Sequence, residues 1–317
     1  MKRLATLAVL AVAACADPQA PPSSDAPTPE LANYGTNQKA ARESLRAADI
    51  AHGAAAASGW SGFLTYLADD VTLLLPRTPI TFGKAAAAAL VAAPNLPLLP
   101  ETRLSWVPSF VDVSVDGTVG YTFGNIAVSD TPLLPAPFAQ YIAFWRRQAD
   151  GSWLVEAWSF SGAFAEPGEL PPFFPHPLDN GHGPFRPVDP AVEEAALLAA
   201  DAAFSQASED LGQAEAFRLF ADQHAILLAG GEPDFIIGRK AIFEFRSATP
   251  EDFTLTWTPV AAGVGPLGDL GWTAGNFVGN DSVLGTRFGK YLTIWQKSPK
   301  GEWKFVQDGG SSAPPPA

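Results

Sequence analysis

The chain has 317 residues, enough for about two domains. Its apolar share of 47% is ordinary for a globular protein, so two cores can be built. The formal charge of −13 repels phosphate backbones and anionic lipid headgroups, which argues against nucleic-acid binding.

At the N-terminus, Met1-Lys2-Arg3 forms a short basic region, and Leu4 to Ala14 is an apolar run with one Thr. A membrane-spanning helix needs about 20 apolar residues, and this run is roughly half that, so residues 1–14 read as a signal peptide. The run ends in Val12-Ala13-Ala14-Cys15, which resembles a bacterial lipoprotein lipobox. The resemblance implies cleavage before Cys15 and acylation of its thiol, with more than one acyl chain for stable anchoring. Cys15 is the only cysteine, so no disulfide is possible. Cleavage would remove Lys2 and Arg3 and no acid, leaving a chain of −15. Ala16, rather than Asp, follows the cysteine, and by resemblance to sorted lipoproteins this points to the outer membrane, facing the periplasm.

From Cys15 to residue 35 the chain is rich in Pro, Ser, Ala and Asp and reads as a flexible tether. A second break spans residues 163–189. Between Glu166 and Pro190 the prolines are too dense for a helix or a central strand, so this segment is the predicted linker. Residues 311–317 form a polar, Pro-rich tail.

The two blocks between these breaks, 36–162 and 190–310, repeat each other. Leu67-Ala68-Asp69 matches Phe220-Ala221-Asp222, and Phe82-Gly83-Lys84 matches Ile237-Gly238-Arg239. Leu104-Ser105-Trp106 matches Leu255-Thr256-Trp257, and Gly120 to Asn125 matches Gly271 to Asn276. Tyr141 to Trp153 matches Tyr291 to Trp303, each carrying Tyr-x3-Trp-x5-Gly-x-Trp. All five matches fall in one order at an offset of 150 to 155, which marks a duplicated domain.

Each copy is predicted to open with a helix, Asn37 to Ala57 in the first and Ala191 to Ser208 in the second, the latter after the cap pair Asp189-Pro190. A shorter helix ending at Ala68 or Ala221 follows. Strands are expected at Val71 to Leu75 and Ala225 to Leu228, and helices at Lys84 to Val91 and Arg239 to Arg246. The remainder reads as an antiparallel meander, with a turn at Ser298-Pro299-Lys300-Gly301 between the last two strands. Helices first, then these Gly and Trp motifs in order, resemble the nuclear-transport-factor-2-like superfamily, near its SnoaL-like group. The resemblance implies an α+β fold: two tandem cone-shaped domains, each a curved antiparallel sheet wrapped around N-terminal helices, with a pocket at the open end. It includes isomerases, cyclases, dehydratases and domains that only bind or assemble, so it does not specify a function.

Asp308 is the sharpest chemical candidate, because a carboxylate in an apolar pocket has a raised pKa and can shuttle protons. Tyr291 is its candidate hydrogen-bond donor. In the first copy the position of Asp308 is Trp158, and Glu156 is the nearest acid. His52, where the second copy has Phe204, faces inward as a core residue or an acid/base group. His224 reads as a strand-end residue, and Asp69 and Asp222 as turn residues closing a short helix. Trp145, Trp158, Phe204, Trp272 and Trp295 are expected to line the cones. No metal site is predicted, since His176, Asp179 and His182 lie in the linker without a rigid frame, and no cofactor motif occurs.

Three functions stay open at this point. One is a membrane-tethered lipoprotein that binds a small apolar molecule or peptide without catalysis. Another is a SnoaL-like isomerase, cyclase or dehydratase acting on a small carbonyl compound through Asp308, Tyr291 and His52. The last is a scaffold, a monomer whose copies pair about a pseudo-two-fold axis.

Overall fold

The computed structural model describes residues 34–93, 101–129, 137–164, 168, 170, 186–229, 232, 234–250, 252–283, 285–298 and 300–315. The predicted signal peptide, Cys15, most of the predicted tether and most of the predicted linker, with His176, Asp179 and His182, lie outside the described residues.

The first half runs α1 (Tyr34–Ala56), α2 (Trp60–Thr65), β1 (Leu67–Leu74), β2 (Thr81–Phe82), α3 (Lys84–Val91), β3 (Arg103–Trp106), β4 (Phe110–Val113), β5 (Val119–Ser129), β6 (Phe138–Arg147) and β7 (Trp153–Phe164). The second repeats it as α4 (Pro190–Leu211), α5 (Gln213–Phe220), β8 (Ala221–Leu228), β9 (Ile236–Ile237), α6 (Arg239–Ser247), β10 (Thr254–Val264), β11 (Leu270–Asp281), β12 (Gly285–Lys297) and β13 (Trp303–Ser312). Each half is α+β with its own sheet. The orders are β2-β1-β7-β6-β5-β3, with β4 also on β5, and β10-β11-β12-β13-β8-β9. The meander strands are antiparallel, but β1 joins β7 and β8 joins β13 in parallel. That return places β1 and β8 inside their sheets, with β2 and β3, and β9 and β10, at the edges.

Local chemistry sets the boundaries. Asp189 caps α4 by accepting the Ala191 N–H at 3.0 Å, with Pro190 following in the first turn. Gly83 and Gly238 stand before α3 and α6 at φ 85° and 91°, a region that favours glycine. Their N–H groups bond Val71 and Ala225 carbonyls at 2.7 and 2.8 Å, pinning each helix to its strand. One boundary differs from the sequence expectation. The short helices stop at Thr65 and Phe220, so Ala68, Asp69, Ala221 and Asp222 begin strands instead of closing helices. Asp222 still acts locally, accepting the His224 N–H at 2.8 Å.

Side chains on the concave faces form two separate cores. Leu45, Phe63, Trp106, Tyr141, Trp145 and Trp158 belong to the first. Phe204, Phe217, Trp295 and Phe305 belong to the second. The convex faces meet in a third core drawn from both halves, including Phe123, Ile142, Phe144, Trp272, Leu292, Ile294 and Val306. Strand alternation explains this: with one face turned to the helices, the next residue along each strand points to the other sheet. Polar contacts tie the same faces. Trp272 Nε1 donates to Glu156 Oε1 at 3.0 Å, the Val115 N–H to Asp269 Oδ2 at 2.7 Å, and the Arg77 N–H to the Ser312 carbonyl at 2.8 Å.

Candidate functional site

At the centre of each concave core sits an aspartate that the sequence patterns do not single out. Asp49 on α1 accepts Tyr141 Oη at 2.5 Å and Trp106 Nε1 at 2.8 Å. Asp201 on α4 accepts Tyr291 Oη and Trp257 Nε1, both at 2.7 Å. Behind each, an indole donates to a threonine: Trp145 Nε1 to Thr122 Oγ1 at 2.9 Å, and Trp295 Nε1 to Thr273 Oγ1 at 2.7 Å. Those threonines also bond the aspartates. Burial pushes both carboxyls up to about 6, and the hydrogen bonds limit the rise. Burial and the adjacent carboxylate raise both tyrosines well above the ordinary phenol range, so they stay protonated donors. The same network stands in both halves, so it is a device of the fold, not a specialised site.

Around that shared centre the halves diverge. In the second, Asp308 sits opposite Thr293 in the β12–β13 ladder and accepts its hydroxyl at 2.6 Å. Burial raises its pKa, while Thr293, Arg246 and a backbone N–H restrain the rise. Its charge is near enough to raise Asp201 and Tyr291 in turn. In the first half the opposed pair is Ala143 and Trp158. Trp158 is fully buried among Phe63, Trp106, Tyr141 and Phe160, and its indole N–H has no acceptor. Two residues along on the same face, Tyr141 faces Phe160, whereas Tyr291 faces Gly310. The first cone is therefore filled by its own rings. In the second, the half-buried Phe277 lies over the glycines instead: a Cβ on Gly289 would sit 2.0 Å from its ring, and one on Gly310 3.2 Å.

His52 occupies the first cone. Its ring lies 4.9 to 5.6 Å from those of Phe63, Tyr66, Trp106 and Trp145, and Nε2 bonds the Phe63 carbonyl at 3.0 Å. Nε2 thus carries the proton and Nδ1 keeps an unpartnered lone pair. Burial lowers the pKa to about 3, so the ring is neutral. Phe204, its counterpart, stacks on Phe220 and Phe305 and meets Phe217, Trp257 and Trp295 edge-on. Of the five expected pocket residues, Trp145, Trp158, Phe204 and Trp295 do face the concave cores. Trp272 does not. It points to the other half and bonds Glu156, because it stands next to the inward Thr273 on a strand where directions alternate. Asp308 and Tyr291 lie in one cone, but each hydroxyl or carboxyl is committed to a different protein partner.

Arg246, near the end of α6, completes the second half. Its guanidinium lies 4.1 Å over the Phe217 ring and borders a cleft of about 340 Å³ at the α4–α5 junction. The structure gives it one long bond, Nη1 to Gln213 Oε1 at 3.4 Å, and Nε is buried without an acceptor. Burial lowers its pKa to about 10, against the pull of Asp308, so it stays cationic at neutral pH. At the matching positions the first half has Val91 and Trp60, both within its apolar core. Among the described residues, no group of three His, Cys, Asp or Glu is placed to hold a metal ion.

Solved structures similar to this chain carry more than one description. A ketosteroid isomerase-like protein from Erwinia carotovora is 17% identical, with 39% of this chain and 98% of that chain covered, at a TM-score of 0.34. A nuclear-transport-factor-2-like protein with a cystatin-like fold from Novosphingobium aromaticivorans is 18% identical over 40% and 86%, at 0.34. A nuclear-transport-factor-2-like superfamily protein from Salmonella enterica is 15% identical over 40% and 95%, at 0.33. The chain is similar to nuclear-transport-factor-2-like proteins. The likeness is one of fold. No family model and no curated protein matches the sequence.

Proposed function

We propose that this protein is a membrane-tethered binding protein whose second half takes a small ligand, while the first serves as its structural mate. One observation carries the reading. At matching positions the second half has Asp308, Arg246 and Gln213 where the first has Trp158, Val91 and Trp60. Buried polar groups cost stability unless they are paired, so a core that keeps them against an apolar alternative keeps them for a use. The apolar alternative is present in the same molecule. The reading is non-catalytic because Tyr291 is held by Asp201 in the arrangement that Tyr141 and Asp49 repeat in the filled cone. The membrane address rests on the basic start, the short apolar run and Cys15.

The test is native mass spectrometry of the full chain from its own host, with extraction of bound material. One small molecule per chain is expected, weakened in Asp308→Asn and unaffected in Trp158→Phe. A chain that emerges empty, or a ligand that responds only to Trp158→Phe, overturns the reading.

A further inference from the structure

Arg246 feels the charge of Asp308 through space but forms no ion pair with it or with another described residue. Seven ion pairs join other described residues, and none includes Arg246. A guanidinium offers five N–H donors, and this one meets a single amide oxygen at 3.4 Å. Its other neighbours are chosen to hold it in place and leave its donors free. Phe217 lies beneath the plane. Gln213 is fixed from behind, because its amide N–H donates to Thr249 Oγ1 at 2.6 Å, and that hydroxyl donates to the Arg246 carbonyl at 2.8 Å. Glu215, the one acid bordering the cleft, is turned to Arg218 at 2.7 Å. Ser247 is turned to the Phe243 carbonyl at 2.7 Å. The walls are Leu211, Ala214, Phe243, Pro250 and Phe253, and Leu211 is 57% exposed at the rim.

We propose that this cleft binds the carboxylate of a small amphipathic acid, its head on Arg246 and its apolar body against Leu211, Phe243, Pro250 and Phe253. The planar fork of arginine matches a planar carboxylate with two parallel bonds. The cleft volume of about 340 Å³ suits one ring or a short chain. The ligand then gives acceptors to guanidinium donors at the cleft, while the buried Nε stays out of its reach. The inference rests on the assignment of ligand binding to the second half and adds its chemical class.

Calorimetric titration of the full chain with 3-phenylpropanoate and with 3-phenylpropanamide tests it. The acid binds at one site per chain and the amide at least tenfold more weakly. Arg246→Gln removes the difference, and Arg246→Lys restores part of it. Because Arg246→Gln touches a packed ring, Leu211→Asp supplies a second reading from the exposed rim. Both probes lose the Leu211 contact, but only the acid meets repulsion, so the acid weakens several-fold more than the amide while the melting temperature does not move. Equal binding of acid and amide, or acid binding indifferent to both variants, overturns the proposal. So does a failure of the acid to bind. A neutral molecule recovered from the native chain and indifferent to Arg246→Gln would overturn the carboxylate while leaving the second half as the binding half.

Discussion

The two halves have one backbone plan and opposite solutions for its centre. Both hang a helical aspartate on a tyrosine and a tryptophan. The first then closes its cone with Trp158 and Phe160, and the second keeps Asp308 and Gly310 there. What repeats is what the fold needs, and what does not repeat is available for function. A duplicated protein thus carries its own control: each residue in the second half can be weighed against the residue that replaced it.

The largest effect should come from unpacking the filled cone. Trp158→Ala opens a cavity among four rings and should cost about 3–5 kcal/mol in urea unfolding, while Asp308→Ala, which leaves one hydroxyl without its acceptor, should cost about 1–3 kcal/mol. Equal losses would break the contrast. The shared centre should behave alike in both places. Asp49→Ala and Asp201→Ala each strand a buried phenol and an indole N–H, buried at Trp106 and half-buried at Trp257, and each should lose about 2–4 kcal/mol. A much smaller loss at Asp201 would mean that its network serves a ligand and not the fold.

Titration sharpens the comparison with the interface. Asp49, Asp201 and Asp269 rise from 3.8 to about 6 on burial, so the native state holds extra protons in that window. Their contribution is present below 3.8 and is lost as pH rises to about 6. Lys290, fully buried where the halves meet and donating to the Thr78 carbonyl, falls from 10.5 to about 7. There the unfolded chain binds the extra proton, so stability grows from about 7 towards 10.5 and is lost as pH falls. His52, neutral in the native state down to about 3, adds one opposing rise between 3 and 6.5, which three aspartates outweigh, so melting temperature against pH should show a shallow minimum near 6 to 7. Lys290→Met should flatten the alkaline rise and stabilise the chain at pH 6 by about 1–2 kcal/mol. A monotonic profile in the wild type would contradict these assignments. The smallest effect belongs to Glu156→Gln, which weakens the bond from Arg146 at 2.6 Å on a partly exposed edge of the interface. It should cost about 1 kcal/mol.

Much of this was legible in the residues. The five matched motifs announce two copies, and their order announces helices before a meander, because spacing survives even where composition drifts. The concave direction of Trp145, Trp158, Phe204 and Trp295 follows from strand and helix periods. Trp272 escapes that logic. Alternation assigns it a face but not the neighbour, since the sheet-on-sheet contact depends on chain positions far apart. Asp49 and Asp201 escape for another reason. A lone acid in a helix reads as a solvated side chain, and only placing the two helices in register with Trp106, Tyr141 and their counterparts would mark both as inward. Arg246 reads as an ordinary cation near the end of a helix, and nothing local says that its guanidinium is left with a single long hydrogen bond.

The face-to-face packing of the two sheets has a consequence beyond stability. In an assembly of two identical chains, every substitution occurs twice, so a tryptophan that plugs one cone plugs both. Joined in a single chain, the halves still meet at high effective concentration, but each position can vary alone. Trp158 could fill one cone without closing the other. The convex faces of both halves hold the pair together, so the filling of each cone is set independently of that contact.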